Sequence, residues 1–117
     1  MSTETKADLK TAIEACIRCA MACDECAAAD IRHASPEMTE CALACLDCAE
    51  ICRLTAAVML RESARHSRFC ELCAQICREC EAHCAKHADK HDHCRRCREA
   101  CEQCANACAP HAVERAA

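Results

Sequence analysis

The stretch CELCAQICRECEAHC, residues 70–84, sets cysteines at steps of three, four, three and four. A helix turns about 100° per residue, so those steps hold Cys70, Cys73, Cys77, Cys80 and Cys84 within an arc of roughly 80°. Three other stretches repeat the spacing: Cys16, Cys19, Cys23 and Cys26; then Cys41, Cys45, Cys48 and Cys52; then Cys94, Cys97, Cys101, Cys104 and Cys108. A seam of this period belongs to helices that face one another around a shared axis. Glu, Arg, Asp and Ala fill the positions between, which suits outer faces in water.

The breaks between stripes agree. Ser35-Pro36-Glu37 offers an N-cap, a proline at the first helical position and an acid in the first turn. RESARHS, residues 61–67, supplies serines between the second and third stripes, and KHADKHDHC, residues 86–94, supplies Asp89 and Asp92 as caps. Helices are expected over about 5–33, 36–62, 65–88 and 90–112. Short connections make neighbours antiparallel. The expected fold is all-α: a single domain over 1–117, an up-down-up-down antiparallel four-helix bundle with a Cys-lined core.

Composition supports this. The chain has 18 Cys, no Gly, two Pro, one Phe and neither Trp nor Tyr, and its cysteines outnumber Leu, Ile, Val and Phe combined. So few large apolar residues would ordinarily suggest disorder. Abundant Ala and a net charge of only −4 argue instead for helices whose core is filled by cysteine. MSTETKADLK has no apolar leader and no twin arginine, and no membrane span follows. A cytoplasmic location is expected, where thiols stay reduced and so many cysteines point to metal. Mild acidity and the lack of aromatic platforms exclude nucleic acid as a partner, and no membrane partner is expected.

Other uses of cysteine fit less well. Cysteine as a small hydrophobe explains one or two buried thiols, not a seam of them. Facing helix axes lie about 8–10 Å apart, whereas a disulfide needs Cα atoms within about 6.8 Å. CxxC occurs seven times, at 16/19, 23/26, 45/48, 70/73, 77/80, 94/97 and 101/104. A dithiol redox enzyme places one such pair at a helix start after a strand, and no strand pattern is present. The chain is therefore not expected to be an enzyme.

Thiols three or four apart on a helix can share a metal after small rotamer changes, since the Cβ atoms are about 5–6 Å apart and a metal–thiolate bond is about 2.3 Å. Charge selects the ion. Zn²⁺ in Cys₄ leaves two negative charges to bury, whereas one monovalent ion per thiolate leaves none. Soft thiolates favour Cu(I). If each sulfur bridges two ions, capacity is roughly one Cu(I) per Cys. Iron–sulfur clusters use discrete Cys quartets, which a continuous rod of thiols suits poorly. The alternative is a general soft-metal buffer, for zinc, or a detoxification protein.

Extending the stripes defines two ends. One reaches Asp30, His33, Met38, His87 and His91, and the other reaches Leu9, Ile13, Thr55, Met59, His66 and His111, with Phe69 nearby. The first is rich in metal ligands weaker than thiolate, suited to passing copper to Cys26, Cys41, Cys84 and Cys94. His87 and His91 continue two stripes and are the candidate non-thiol ligands; His33, His83 and His93 read as helix-end residues facing water. Met38 lies on a stripe, Met59 reads as a plug and Met21 lies off the stripe. The second helix carries another apolar strip, Leu43, Ile51, Leu54 and Val58, which one bundle would leave exposed and which predicts self-association.

The repeats CIRCAMACDEC, CALACLDCAEIC, CELCAQICRECEAHC and CRRCREACEQCANAC span essentially the whole chain. In them the sequence closely resembles the bacterial copper storage proteins, cysteine-rich four-helix-bundle copper-binding proteins. The resemblance implies Cu(I) held by inward thiolates and a homotetramer. The lack of an export signal looks like the cytosolic branch. Exported relatives carry methionines around the bundle mouth, where this chain has histidines. The expected function is high-capacity storage of Cu(I), which also detoxifies because sequestered Cu(I) cannot cycle with oxygen. A copper chaperone or recipient protein is the implied partner.

Overall fold

The structure, a computed structural model, describes residues 5–112. The chain forms α1 (Lys6–His33), α2 (Pro36–Leu60), α3 (His66–Ala85) and α4 (Asp92–Cys108), and α4 runs on into a single 3₁₀ turn, Ala109–His111. There is no strand among the described residues. The ends of the expected domain, 1–4 and 113–117, lie outside them.

Three of the helices start by different devices. Thr5 and Asp8 form a capping box: the Asp8 N–H donates to the Thr5 hydroxyl at 3.3 Å, and the Thr5 N–H donates to the Asp8 carboxylate at 2.9 Å. This satisfies two of the donors a helix start leaves open. Pro36 opens α2 after Ser35, whose hydroxyl makes no capping bond, so the fixed φ of proline and the acid at Glu37 do the work expected of the serine. His91, not Asp89 or Asp92, is the cap residue of α4; Asp92 is its first helical residue and places a carboxylate at the positive end of the helix.

Three helix ends fall short of expectation, each for a visible reason. Glu62 adopts φ 52° after α2. The Glu62 N–H bonds back to Met59 and the Ser63 N–H to Val58, both at 3.0 Å. This is a Schellman motif, which closes the helix at Leu60 rather than 62. Past Ala85 the bonds shorten to i→i−3, from Lys86 to His83 and from His87 to Cys84, so the last turn tightens and α3 stops before 88. Pro110 lacks an N–H, and α4 gives way to the 3₁₀ turn beyond Cys108.

The helices form a square in which α1 packs on α2 and α4, and α3 packs on α2 and α4. The bundle measures 48 × 28 × 18 Å. Ile13, Ala20 and Ala27 of α1 and Ala42, Ala49 and Ala56 of α2 are all buried. Outside, Arg53 of α2 pairs with Asp24 of α1 at 2.6 Å. The cysteine stripes turn inward, and all 18 thiols are 0–1% exposed. The second strip of α2 is only half as expected: Leu43 and Leu54 are 54% and 44% exposed, but Ile51 and Val58 are buried. Ile51 faces the groove beside α3.

Both sharp reversals use left-handed backbone in a chain without glycine, at Ala34 (φ 56°) and Glu62 (φ 52°). A Cβ costs about 1–2 kcal/mol there, part of which glycine's larger unfolded-state entropy would offset. Ala34→Gly and Glu62→Gly are each expected to raise stability by about 0.5–1 kcal/mol in chemical denaturation of the metal-free protein. A loss of stability would show that these positions are not strained.

Candidate metal centre

The inward thiols touch in an unbroken path. It runs from Cys41 to Cys84 (3.6 Å), Cys45 (3.8 Å), Cys97 (3.7 Å) and Cys23 (3.6 Å). It continues through Cys101 (3.9 Å) and Cys19 (3.8 Å) to Cys48 at 4.0 Å. Cys52 follows at 3.9 Å, then Cys104 at 3.9 Å, Cys16 at 3.7 Å and Cys108 at 3.5 Å. Contacts of 4.0 Å also cross the diagonal of the square, from Cys16 to Cys73 and from Cys19 to Cys77. All eighteen thiols are free.

Compact quartets lie along the path, with sulfurs all within 4.8 Å of one another, among them Cys16/Cys73/Cys104/Cys108, Cys19/Cys48/Cys52/Cys77, Cys23/Cys80/Cys97/Cys101 and Cys26/Cys41/Cys45/Cys84. With a metal–sulfur bond of about 2.3 Å, tetrahedral, trigonal and linear sites need sulfurs about 3.8, 4.0 and 4.6 Å apart. The observed 3.5–4.0 Å contacts meet the first two directly. Linear bridges require about 0.6–1.1 Å of widening, which thiol rotation supplies.

Every thiol is cut off from water, which opposes thiolate formation, while hydrogen bonds from neighbouring thiols favour it in some positions. Cys23 and Cys52 are pushed up, the first mainly through Cys101 and the second mainly through Cys104. Cys19 is pushed down, mainly through its hydrogen bonding with Cys101. At one end Cys26 is lowered to about 4, chiefly by Cys41. Sharing of this kind makes the core one coupled acid that gives up its protons stepwise.

That end is the polar mouth. Asp30 continues the α1 stripe and is buried. Its carboxylate accepts from the Cys26 and Cys94 thiols, each at 3.8 Å, and lies 2.8 Å from Nε2 of His93. Burial pushes Asp30 up to about 7. The ring of His91 lies 4.9 Å from that of exposed His33 and 5.3 Å from that of His93. Of the two candidate histidines, His91 thus belongs to an imidazole cluster, while His87 sits half-buried in the turn before it. His93 departs from expectation: it is held against Asp30 rather than facing water. The sign available was Asp30 itself, since an acid on a buried stripe requires a partner. Met38 is buried beside this mouth, and His83 lies apart from it in the groove between α2 and α3.

The opposite end is closed. Leu9, Ile13, Thr55 and Met59 are buried there and Phe69 is partly buried, with the Thr55 hydroxyl donating to the Phe69 carbonyl at 3.4 Å. Met59 is a plug, as expected. The thiol rod therefore has one polar mouth and one apolar floor.

The family profile described as "Copper storage protein" matches residues 5–113. A cytosolic copper storage protein from Streptomyces lividans, in a structure with five coppers, is 37% identical, with 91% of this chain and 92% of that chain covered at a TM-score of 0.84. Metal-free copper storage protein 3 from Bacillus subtilis is 38% identical over 90% of this chain and 99% of that one, at a TM-score of 0.80. A cysteine-rich protein of Bacillus subtilis called YhjQ, described as uncharacterized, is 37% identical over 84 residues, which are 71% of this chain and 76% of its own. With the profile spanning almost its whole length and the bundle superposing along the same length, the chain belongs to the copper storage protein family.

Proposed function

We propose that this protein is a high-capacity cytosolic store for Cu(I), with all 18 cysteines as ligands. The observation that carries this reading is the unbroken run of buried thiols, which only a monovalent soft ion can fill without leaving buried charge. The cytosolic Streptomyces relative with five coppers supports it, as does a Cu(I)-bound copper storage protein that is 36% identical over 91% of this chain, at a TM-score of 0.85. The role is retention of the ion rather than turnover of a substrate. A zinc buffer is the second reading, favoured by the Cys quartets, whose spacing suits tetrahedral Zn²⁺.

Copper would arrive at the polar mouth. His87 and His91 are proposed as weak ligands there, passing Cu(I) inward to Cys26, Cys41, Cys84 and Cys94. Asp30 accepts from two of those thiols and holds His93 beside them. Self-association, to a homotetramer as the family resemblance implies, is supported by the exposed apolar side chains of the α1–α2 face, including Met21 at 60%, Ile31 at 61% and Leu43 at 54%. A copper chaperone or a recipient protein completes the partners.

Anaerobic titration of the reduced protein with Cu(I) is expected to raise thiolate-to-copper absorption linearly and to break near one ion per cysteine, about eighteen in all. A break near one ion per three or four cysteines, matched by equal retention of zinc against a chelator, would favour the zinc buffer. His87→Ala together with His91→Ala is expected to slow Cu(I) uptake in stopped flow and leave final capacity unchanged. Uptake at the native rate would remove both residues from the path.

Asp30 gives a pH signature. Its folded value of about 7 exceeds the ordinary 3.8, so the fold binds this proton more tightly than the unfolded chain does. Its contribution to stability is greatest below the ordinary value and declines as pH rises through that window. Thermal unfolding of metal-free Asp30→Asn is expected to lose this part of the slope between about pH 4 and 7. An unaltered slope would mean that Asp30 is not held protonated by the fold.

A further inference from the structure

The two hairpins of the bundle are built differently. Leaving cysteines aside, α1 buries Leu9, Ile13, Asp30 and four alanines, and α2 buries Met38, Ile51, Val58, Met59, Thr55 and three alanines. In contrast, α3 buries only its five cysteines, and α4 buries its five and Ala105. Phe69, Ala74, Ile76, Ala100 and Ala107 cover the core from the edges and are only partly buried. The first hairpin therefore supplies nearly all the buried side chains other than cysteine. The second has almost none.

What joins the hairpins is mainly sulfur. Polar links exist at the two ends, His93 to Asp30 at 2.8 Å and Thr55 to the Phe69 carbonyl at 3.4 Å. Between them thiol-to-thiol contacts recur, at 3.6 Å for Cys48–Cys77 and Cys23–Cys97 and 3.7 Å for Cys45–Cys80. A neutral thiol is a weak donor, a weak acceptor and a small hydrophobe. On the α2–α3 side a groove of about 970 Å³ reaches down to Cys80. Each quartet named above takes sulfur from both hairpins. Cys19/Cys48/Cys52/Cys77 draws three from the first and one from the second, and Cys23/Cys80/Cys97/Cys101 draws one and three.

Local opening concentrates where buried apolar contacts are few. We propose that α3 and α4 are the yielding half of the bundle: in the metal-free protein they open and close against a firm α1–α2 hairpin, and metal bound across the quartets fastens them. Metal–thiolate bonds then replace weak sulfur contacts along the whole seam, and an ion bound only to the closed form stabilises that form by mass action. The fastening clause rests on the storage reading; the asymmetry of the metal-free protein does not.

Amide hydrogen exchange read by mass spectrometry tests this on the reduced full-length chain in its own oligomeric state, metal-free and after anaerobic loading with Cu(I). Protection factors, which remove intrinsic sequence effects, are compared by helix. In the metal-free protein α3 and α4 are expected to exchange roughly tenfold or more faster than the middles of α1 and α2. Loading is expected to slow α3 and α4 by the larger factor. Equal protection of all four helices without metal, as when a second copy fills the α2–α3 groove and pins α3, would overturn the proposal. So would loading that slows both hairpins by the same factor. A chain that bound no copper by metal count would fail the storage reading, and the metal-free contrast would still decide the asymmetry.

Discussion

A neutral thiol packs like a small hydrophobe, and a thiolate out of water is a costly charge. A core made of thiols is therefore stable in two conditions: fully protonated, or fully neutralised by bound cations. The fold serves both. Its sulfurs are close enough to pack as a dry core, at 3.5–4.0 Å, and close enough to share ions after small rotations. The same atoms form the packing interior and the ligand set, so metal binding and folding are one problem here.

That constraint sets the rest of the molecule. A helix is the element that can present a thiol every three or four residues to one line, and four helices enclose that line from all sides. Cysteine is small, so the helices must lie close together, and buried alanines such as Ala20, Ala27, Ala42 and Ala49 allow it on the α1–α2 side. The charged residues go outward, where Arg95 pairs with Asp92 and Glu99 along α4. The absence of glycine favours long helices and leaves Ala34 and Glu62 to make the left-handed reversals.

The parts legible in the sequence were those written in local spacing. Steps of three and four placed all the seam cysteines correctly, and Pro36 marked the start of α2. Parts that depend on contacts between distant segments were not legible. His93 lies 63 residues from Asp30, and only the crossing of α4 over α1 brings them together. Ile51 and Val58 fall on the outer strip of an isolated α2, yet both are buried once the bundle forms. Helix ends were misjudged where backbone bonds rather than side-chain patterns decide them, as at the Ser63 N–H to the Val58 carbonyl.

The apolar floor built from Leu9, Ile13, Thr55 and Met59 makes the thiol rod a blind tube. If copper enters and leaves at the Asp30 end, as proposed, ions near Cys26 and Cys94 exchange with the outside first, and those beside Cys16 and Cys108 leave only after the ones above them. The store then behaves as a stack, last in and first out: a small fraction of its content stays available for quick withdrawal, and the remainder is held in reserve. Draining such a protein is a sequence of steps whose rate falls as it empties.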